Sequence, residues 1–152
     1  MPIEKTLILI KPDGMKRRLA GLAIDRLENA GFELIGAKVV PVTEELAREH
    51  YALLKDQPFF PNLIKFIKGD YHEVSNRRVL ALVYRGENAI KGVRAVVGAT
   101  NPEEAAPGTI RHSFGRIHSK TDNFENVIHA SGNAPEAERE VKIWFKPGEL
   151  VE

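Results

Sequence analysis

Two short runs limit the folds open to this chain. Thr6-Leu7-Ile8-Leu9-Ile10 and Val79-Leu80-Ala81-Leu82-Val83-Tyr84 are β-rich and apolar on both faces. A strand with one wet face alternates apolar and polar residues, so a run without alternation belongs in the middle of a sheet. Two such runs, whose starts lie 73 positions apart, require a sheet assembled from distant parts of the chain.

The segments between them supply the rest. Lys11-Pro12-Asp13-Gly14 ends the first run abruptly and reads as a turn, which leaves Lys11 at the end of a buried strand. Ala20, Ala23, Ile24 and Leu27 recur at helical spacing, and Gly31 closes that helix. Phe32 to Val40 reads as a strand stopped by Pro41. Thr43 caps a helix with Glu44 and Glu45 in its first turn, the charge that suits a helix N-terminus. Its apolar face carries Leu46, His50, Leu53 and Leu54, with Tyr51 off that face. A second short helix is expected over Asn62 to Lys68. Gly69 to Arg78 is polar and aperiodic, a surface loop. Asn88 is expected to cap a helix with Ile90, Val93 and Val97 inward, Arg94 outward and Gly98 at its end. Gly98 to Glu125 shows little periodicity, and a loop of that length is usually functional. Asn126 to Ala130 is the fourth strand. Pro135 opens the last helix, with Ala137, Val141 and Trp144 inward.

With the short helices after Thr43 set aside, the order is β-α-β-β-α-β over residues 1–152, one domain. The expected class is α/β (α+β): a ferredoxin-like sandwich with helices on one face of a four-stranded antiparallel sheet.

Charge and composition remove several functions. Lys plus Arg is 22 and Asp plus Glu is 21, a net charge of +1. No global field draws in nucleic acid or an acidic membrane, so any anion site must be built locally. With no cysteine, there is no disulfide, zinc-thiolate site or cysteine nucleophile. No apolar run approaches the roughly 18 residues of a membrane span, and the start lacks the pattern of a signal peptide, so a cytoplasmic protein is expected.

No G-x-x-x-x-G-K-[ST] loop, G-x-G-x-x-G fingerprint or protein-kinase motif occurs, and no Asp/Glu/His spacing suggests a metal cage. What remains is scattered: Lys11, Tyr51, Phe59, Arg94, Thr100, Arg111, Asn126 and His129. Of five histidines, His129 is the one at the end of a buried strand. Imidazole exchanges protons and phosphoryl groups near neutral pH. Glu140 on the next helix is placed to bond one ring nitrogen and leave the other free. Phe59 and Phe60 lie between prolines; both rings fit the core, or one stays outside as a platform for a flat base. Arg111, His112, Arg116, His118 and Lys120 read either as a solvated basic loop or as a lid of phosphate donors.

The residues resemble the nucleoside diphosphate kinases over nearly the whole chain. The matching pieces are Ile10-Lys11-Pro12-Asp13-Gly14, His50-Tyr51, Pro58-Phe59-Phe60, Gly98-x-Thr100-Asn101-Pro102, Pro107-Gly108-Thr109-Ile110-Arg111 and Asn126-Val127-Ile128-His129-x-Ser131. The resemblance implies ping-pong transfer of a γ-phosphoryl group from a nucleoside triphosphate to a nucleoside diphosphate. The intermediate it implies is a phosphohistidine on the pros nitrogen of His129. It implies that Lys11 and Asn126 contact the ribose 3′ side, and that Lys11 and Tyr51 lie near the transferred group. Arg94, Thr100 and Arg111 would hold the outer phosphates, Phe59 would stack on any base, and Ser131 and Glu140 would support the histidine. It further implies Mg²⁺ carried by the nucleotide phosphates, and a homo-hexamer or tetramer. The chain departs from the family pattern at Gly132, where relatives carry Asp, and at insertions in Asp70–Arg78 and Ser113–Glu125. Two rivals are a ferredoxin-like nucleic-acid-binding module and a catalytically silent regulatory subunit. The aliphatic central strands and small net charge oppose the first, and the retained Lys11, Arg111 and His129 oppose the second.

Overall fold

The first apolar run lies in a longer strand, β1 (Ile3–Ile10), whose residues are fully buried from Thr6 onward. The computed structural model describes residues 2–72 and 78–152. After β1 come α1 (Pro12–Lys16), α2 (Ala20–Asn29), β2 (Glu33–Pro41), α3 (Glu44–His50), α4 (Phe60–Ile67), β3 (Arg78–Glu87) and α5 (Ala89–Val97). Then follow α6 (Ile110–Phe114), β4 (Arg116–Ile117), β5 (Phe124–Glu125), β6 (Ile128–Ala130) and α7 (Ala134–Trp144).

The main sheet has the order β2-β3-β1-β6, and every pair in it is antiparallel. Set β1, α2, β2, β3, α5 and β6 in a row, and the ferredoxin-like β-α-β-β-α-β order stands. The two apolar runs are neighbours, with Leu7 opposite Val83, Ile8 opposite Leu82 and Leu9 opposite Ala81.

Successive side chains of β1 enter two different cores, because a strand alternates its faces. Leu7 and Leu9 pack with Ala81, Val83, Ile64 and Trp144, under α3, α4 and α7. Ile8 and Ile10 pack with Leu82, Leu27 and Val93, under α2 and α5. Both faces of the sheet are therefore covered, where helices on one face alone were expected. The unbroken apolar runs demand this: a fully buried Leu or Ile contributes about 1.5–3 kcal/mol, which a wet face would forfeit.

Several local readings change. Pro12 to Lys16 is one helical turn rather than a plain turn, with Pro in the first-turn position it tolerates. α4 starts at Phe60, two residues before the expected Asn62, with Pro61 in its first turn. Thr43 does cap α3, accepting the Leu46 N–H at 3.1 Å. Asn88 does not cap α5 with its side chain; its backbone sits in the left-handed region at φ 50° and turns the chain there. Gly98 to Glu125 contains α6 and the β4–β5 hairpin, where a loop without elements was expected. Such short elements are held by side-chain bonds, which leave no period to read. Thr109 accepts the His112 N–H at the start of α6, and buried Glu125 binds both His72 and Arg116. Of the Gly69–Arg78 expectation, residues 73–77 lie outside the described residues. Among the described residues, no helix is long and apolar enough to cross a membrane.

Candidate active site

The loop that follows β5 aims the candidate nucleophile. Val127 has φ 73°, a backbone region that a β-branched residue rarely enters. Its peptide groups are held from both sides. The Val127 N–H donates to Asp13 Oδ2 at 2.8 Å, and its carbonyl accepts the Lys11 N–H at 2.8 Å. Gly14 makes this approach possible, since a Cβ there would lie 2.8 Å from the Val127 carbonyl oxygen. The conformation delays the strand, so β6 starts at Ile128 rather than Asn126. Ile128 and Ala130 are buried, while His129 between them is half-buried and faces the cavity.

Behind His129 runs a chain of hydrogen bonds. The ring Nε2 lies 2.8 Å from Glu140 Oε1, and the Ser131 hydroxyl donates to the same oxygen at 2.9 Å. The Leu7 N–H donates to Ser131 Oγ at 3.2 Å, which ties the set to the central strand. Burial pushes the Glu140 carboxyl upward, but the bonds from His129 and Ser131 outweigh it and hold the group below its ordinary value. An ionised carboxylate only accepts, so His129 Nε2 carries the proton and Nδ1 keeps its lone pair.

A cavity of about 690 Å³ opens in front of His129. Lys11, Tyr51, Phe59, Arg94, Thr100, Arg111, Asn126, His129 and Glu140 all line it, and fully buried Ser131 stands behind. Residues from α5, α6, β6 and α7, and from just past the ends of β1 and α3, thus meet at one place, although they span the chain from 11 to 140.

Among the described residues, four cations line this cavity: Lys11, Arg94, Arg111 and Arg139. Lys11 Nζ donates to Asn126 Oδ1 at 2.9 Å, and the Asn126 amide donates to the Thr100 carbonyl at 2.9 Å. Burial brings the Lys11 amine down to about 8; Asp13 opposes that shift and Arg111 adds to it. Arg111 is buried and is anchored on the Gly98 and Ile128 carbonyls at 2.9 and 2.7 Å. Burial, then neighbouring Arg94, lowers its guanidinium to about 10. Arg94 was expected to face solvent, yet it donates to the Ala130 carbonyl at 3.3 Å and borders the cavity. Burial first, then Glu140, pushes the Tyr51 hydroxyl well up, so it remains a neutral donor. Cations in a part-buried site attract anions more strongly than the same charges in water.

The two phenylalanines divide the roles left open: Phe60 is 8% exposed and Phe59 48%. Of the basic residues in the long loop, only Arg111 lines the cavity. Arg116 pairs with Glu125, and His118 Nδ1 accepts the Lys120 and Thr121 N–H groups in a tight turn. Asp122, Asn123 and Phe124 line the cavity although nothing assigned them to it. Asn123 is joined to α4 through Asn62 at 2.6 Å, a contact no periodicity could signal. Two more omissions, His50 and Asp13, stand in the matched motifs and were read there as core and turn. At Gly132, the N–H donates to Glu136 Oε2 at 3.1 Å, so a carboxylate from one turn onward occupies this corner.

Among the described residues, His50, His129 and Glu140 alone cluster as potential metal ligands. Part of this set is already in use, since Glu140 Oε1 serves His129 and Ser131, and His50 Nδ1 accepts the Trp144 indole N–H at 3.0 Å.

A family model described as nucleoside diphosphate kinase matches residues 4–150. A nucleoside diphosphate kinase of Symbiobacterium thermophilum is 46% identical over 143 residues, covering 94% of this chain and 87% of that protein. The nucleoside diphosphate kinase B of Bos taurus is 42% identical over 153 residues, covering 98% and 90%. Among solved structures, the Borrelia burgdorferi enzyme, a transition-state mimic with vanadate and ADP, superposes with TM-score 0.86 at 38% identity, covering 99% and 91%. The Halobacterium salinarum nucleoside diphosphate kinase in complex with CDP gives TM-score 0.86 at 40% identity, covering 99% and 93%. This chain belongs to the nucleoside diphosphate kinase family.

Proposed function

We propose that the protein moves the γ-phosphoryl group of a nucleoside triphosphate to a nucleoside diphosphate in two half-reactions through His129. The observation that carries this reading is the imidazole whose Nε2 is committed to Glu140 while Nδ1 keeps a lone pair beside four cations. In the first half-reaction, Nδ1 attacks the γ-phosphorus. The N–P bond forms as the bridging P–O bond to the β-phosphate breaks, and the diphosphate leaves with that electron pair. In the second, a β-phosphate oxygen of another diphosphate attacks the same phosphorus, and the N–P electron pair returns to His129.

The other residues take roles that follow from their chemistry. Arg94, Arg111 and the Thr100 hydroxyl bind outer phosphate oxygens, and the cations offset charge as the transferred group moves. Lys11 and Asn126, already bonded together, bind the ribose 3′ side. Lys11 and the neutral Tyr51 hydroxyl donate to the transferred group. Glu140, backed by Ser131, stabilises the positive charge that develops on the ring. Half-exposed Phe59 stacks on any base, which gives broad base specificity. Mg²⁺ would be held by the nucleotide's own phosphate oxygens and would supply screening of their charge. Leu34 and Val39 are exposed on β2, an edge strand of the sheet, which supports association into a homo-oligomer, a hexamer or a tetramer.

The test is a labelling experiment. Protein incubated with γ-labelled ATP should gain acid-labile, base-stable label that moves to added GDP. His129→Ala should carry none. Label that persists in this variant would end the assignment, and an unlabelled wild type would favour a regulatory module.

A further inference from the structure

His50 lines the cavity wall and is 3% exposed, and the two half-reactions leave it without a task. Its surroundings determine its protonation state. The Trp144 indole Nε1 lies 3.0 Å from His50 Nδ1. An indole nitrogen can only donate, so Nδ1 must present a lone pair and the single ring proton must sit on Nε2. A second proton would set one N–H against another in a buried place.

The ring also braces its neighbours. Its centroid lies 4.7 Å from that of His129 at 80°, 4.6 Å from Tyr51 at 75° and 5.6 Å from Trp144 at 80°. These edge-on contacts resist turning of any one ring. Among the described residues, the His129 ring makes one hydrogen bond, from Nε2 to Glu140.

We infer that Trp144 and His50 form a positioning pair for the nucleophile, in which the indole N–H fixes the His50 proton on Nε2 and the His50 ring holds His129 with Nε2 on Glu140 and Nδ1 free. This rests on the phosphohistidine reading above and names a residue pair that the reading does not use.

The charged and titratable groups facing His50 come from every element around it. Tyr51 follows it in the chain, His129 faces it from β6, Lys11 from the end of β1, and Arg139 and Glu140 from α7. Arg139 also donates to the His50 carbonyl at 2.9 Å. Burial is the main force that keeps the second proton off, followed by His129, Arg139 and Lys11. The one anion here, Glu140, is already shared by His129 and Ser131. One potential ligand atom each of His50, His129 and Glu140 lies within 4.8 Å of the others. A cationic His50 would therefore compete with His129 for the carboxylate that sets its tautomer.

Trp144→Phe keeps a ring and removes the N–H. Burial and the neighbouring cations still oppose a second proton on His50, so the variant's kcat/KM should fall more than wild type between about pH 8 and pH 5.5 by at most about tenfold, the factor that one group with an ordinary imidazole pKa of about 6.5 would produce. Adding His50→Gln should remove that acid limb. A Trp144→Phe profile parallel to wild type, whether equal or uniformly lower, overturns the inference, because a merely structural loss has no such pH dependence. Should the variant not fold, long-range ¹⁵N correlation spectra of the wild type decide. His50 should show a neutral ring with its proton on Nε2 through about pH 6, below the ordinary imidazole value. An Nδ1–H or doubly protonated ring there overturns it. The spectrum requires no turnover, so failed phosphoryl transfer would count only against the proposed function.

Discussion

Glu140→Gln tests the hydrogen-bond chain behind His129 with little change in shape. His129 Nε2 and Ser131 Oγ both bond one oxygen, Oε1, at 2.8 and 2.9 Å. A glutamine that keeps its carbonyl oxygen there still serves both donors, so the His129 tautomer survives and only the charge is lost. A hydrogen bond to a charged group contributes about 1.5–3 kcal/mol and a neutral one about 0.5–1.5. The difference, roughly 1–2 kcal/mol, applies most strongly as the ring becomes cationic. At about 1.4 kcal/mol per decade, phosphohistidine formation should slow by about 5- to 30-fold. Quenched-flow measurement with γ-labelled ATP reads this step directly. A rate within about twofold of wild type would mean the carboxylate charge does no chemical work, and a loss as deep as that of His129→Ala would mean the tautomer had reversed. Stability gives an independent check. The Glu140 carboxyl is held below its ordinary value of 4.5, so its stabilisation is present above that value and is lost as pH falls through the lowered one. Glu140→Gln should flatten the acid side of a thermal-unfolding profile.

Three further outcomes are expected. Phe59→Ala should raise KM for ATP, GTP, CTP and UTP alike, by about 5- to 100-fold, since stacking contributes roughly 1–3 kcal/mol per base; an effect confined to one base in steady-state assays would point to edge recognition. The Lys11 amine is lowered from 10.5 to about 8, so the unfolded chain binds more protons between these values and the nucleotide-free protein should gain stability as pH rises across that window. Over the same window KM for ATP should increase as the amine loses its charge, and thermal melts of Lys11→Met should lack the alkaline gain. Leu82→Ala, at a position 1% exposed beside β1, should cost about 2–5 kcal/mol in urea unfolding with activity retained in the folded fraction; a cost under about 1 kcal/mol would show that this core relaxes around the gap.

Local chemistry was legible wherever it has a local cause. The unbroken runs at Thr6 and Val79 identified the central strands, since strand burial is decided by neighbours two residues apart. Thr43 marked the start of α3 because a cap acts over three positions. The motif set around Lys11, Arg111 and His129 identified the family. What no period could carry were contacts between residues far apart in the chain. The left-handed Val127 depends on Asp13, 114 positions away, and the direction of Arg94 depends on the Ala130 carbonyl. The Phe59–Phe60 alternative was settled by which ring had an element to pack against, and the second face of the sheet by where α3, α4 and α7 came to rest. The chain alone therefore determined which residues form the central strands and to which family the motifs belong. Only the tertiary structure decided which way those residues face and which protons they hold, because direction and protonation depend on burial and on partners that folding brings within about 3 Å.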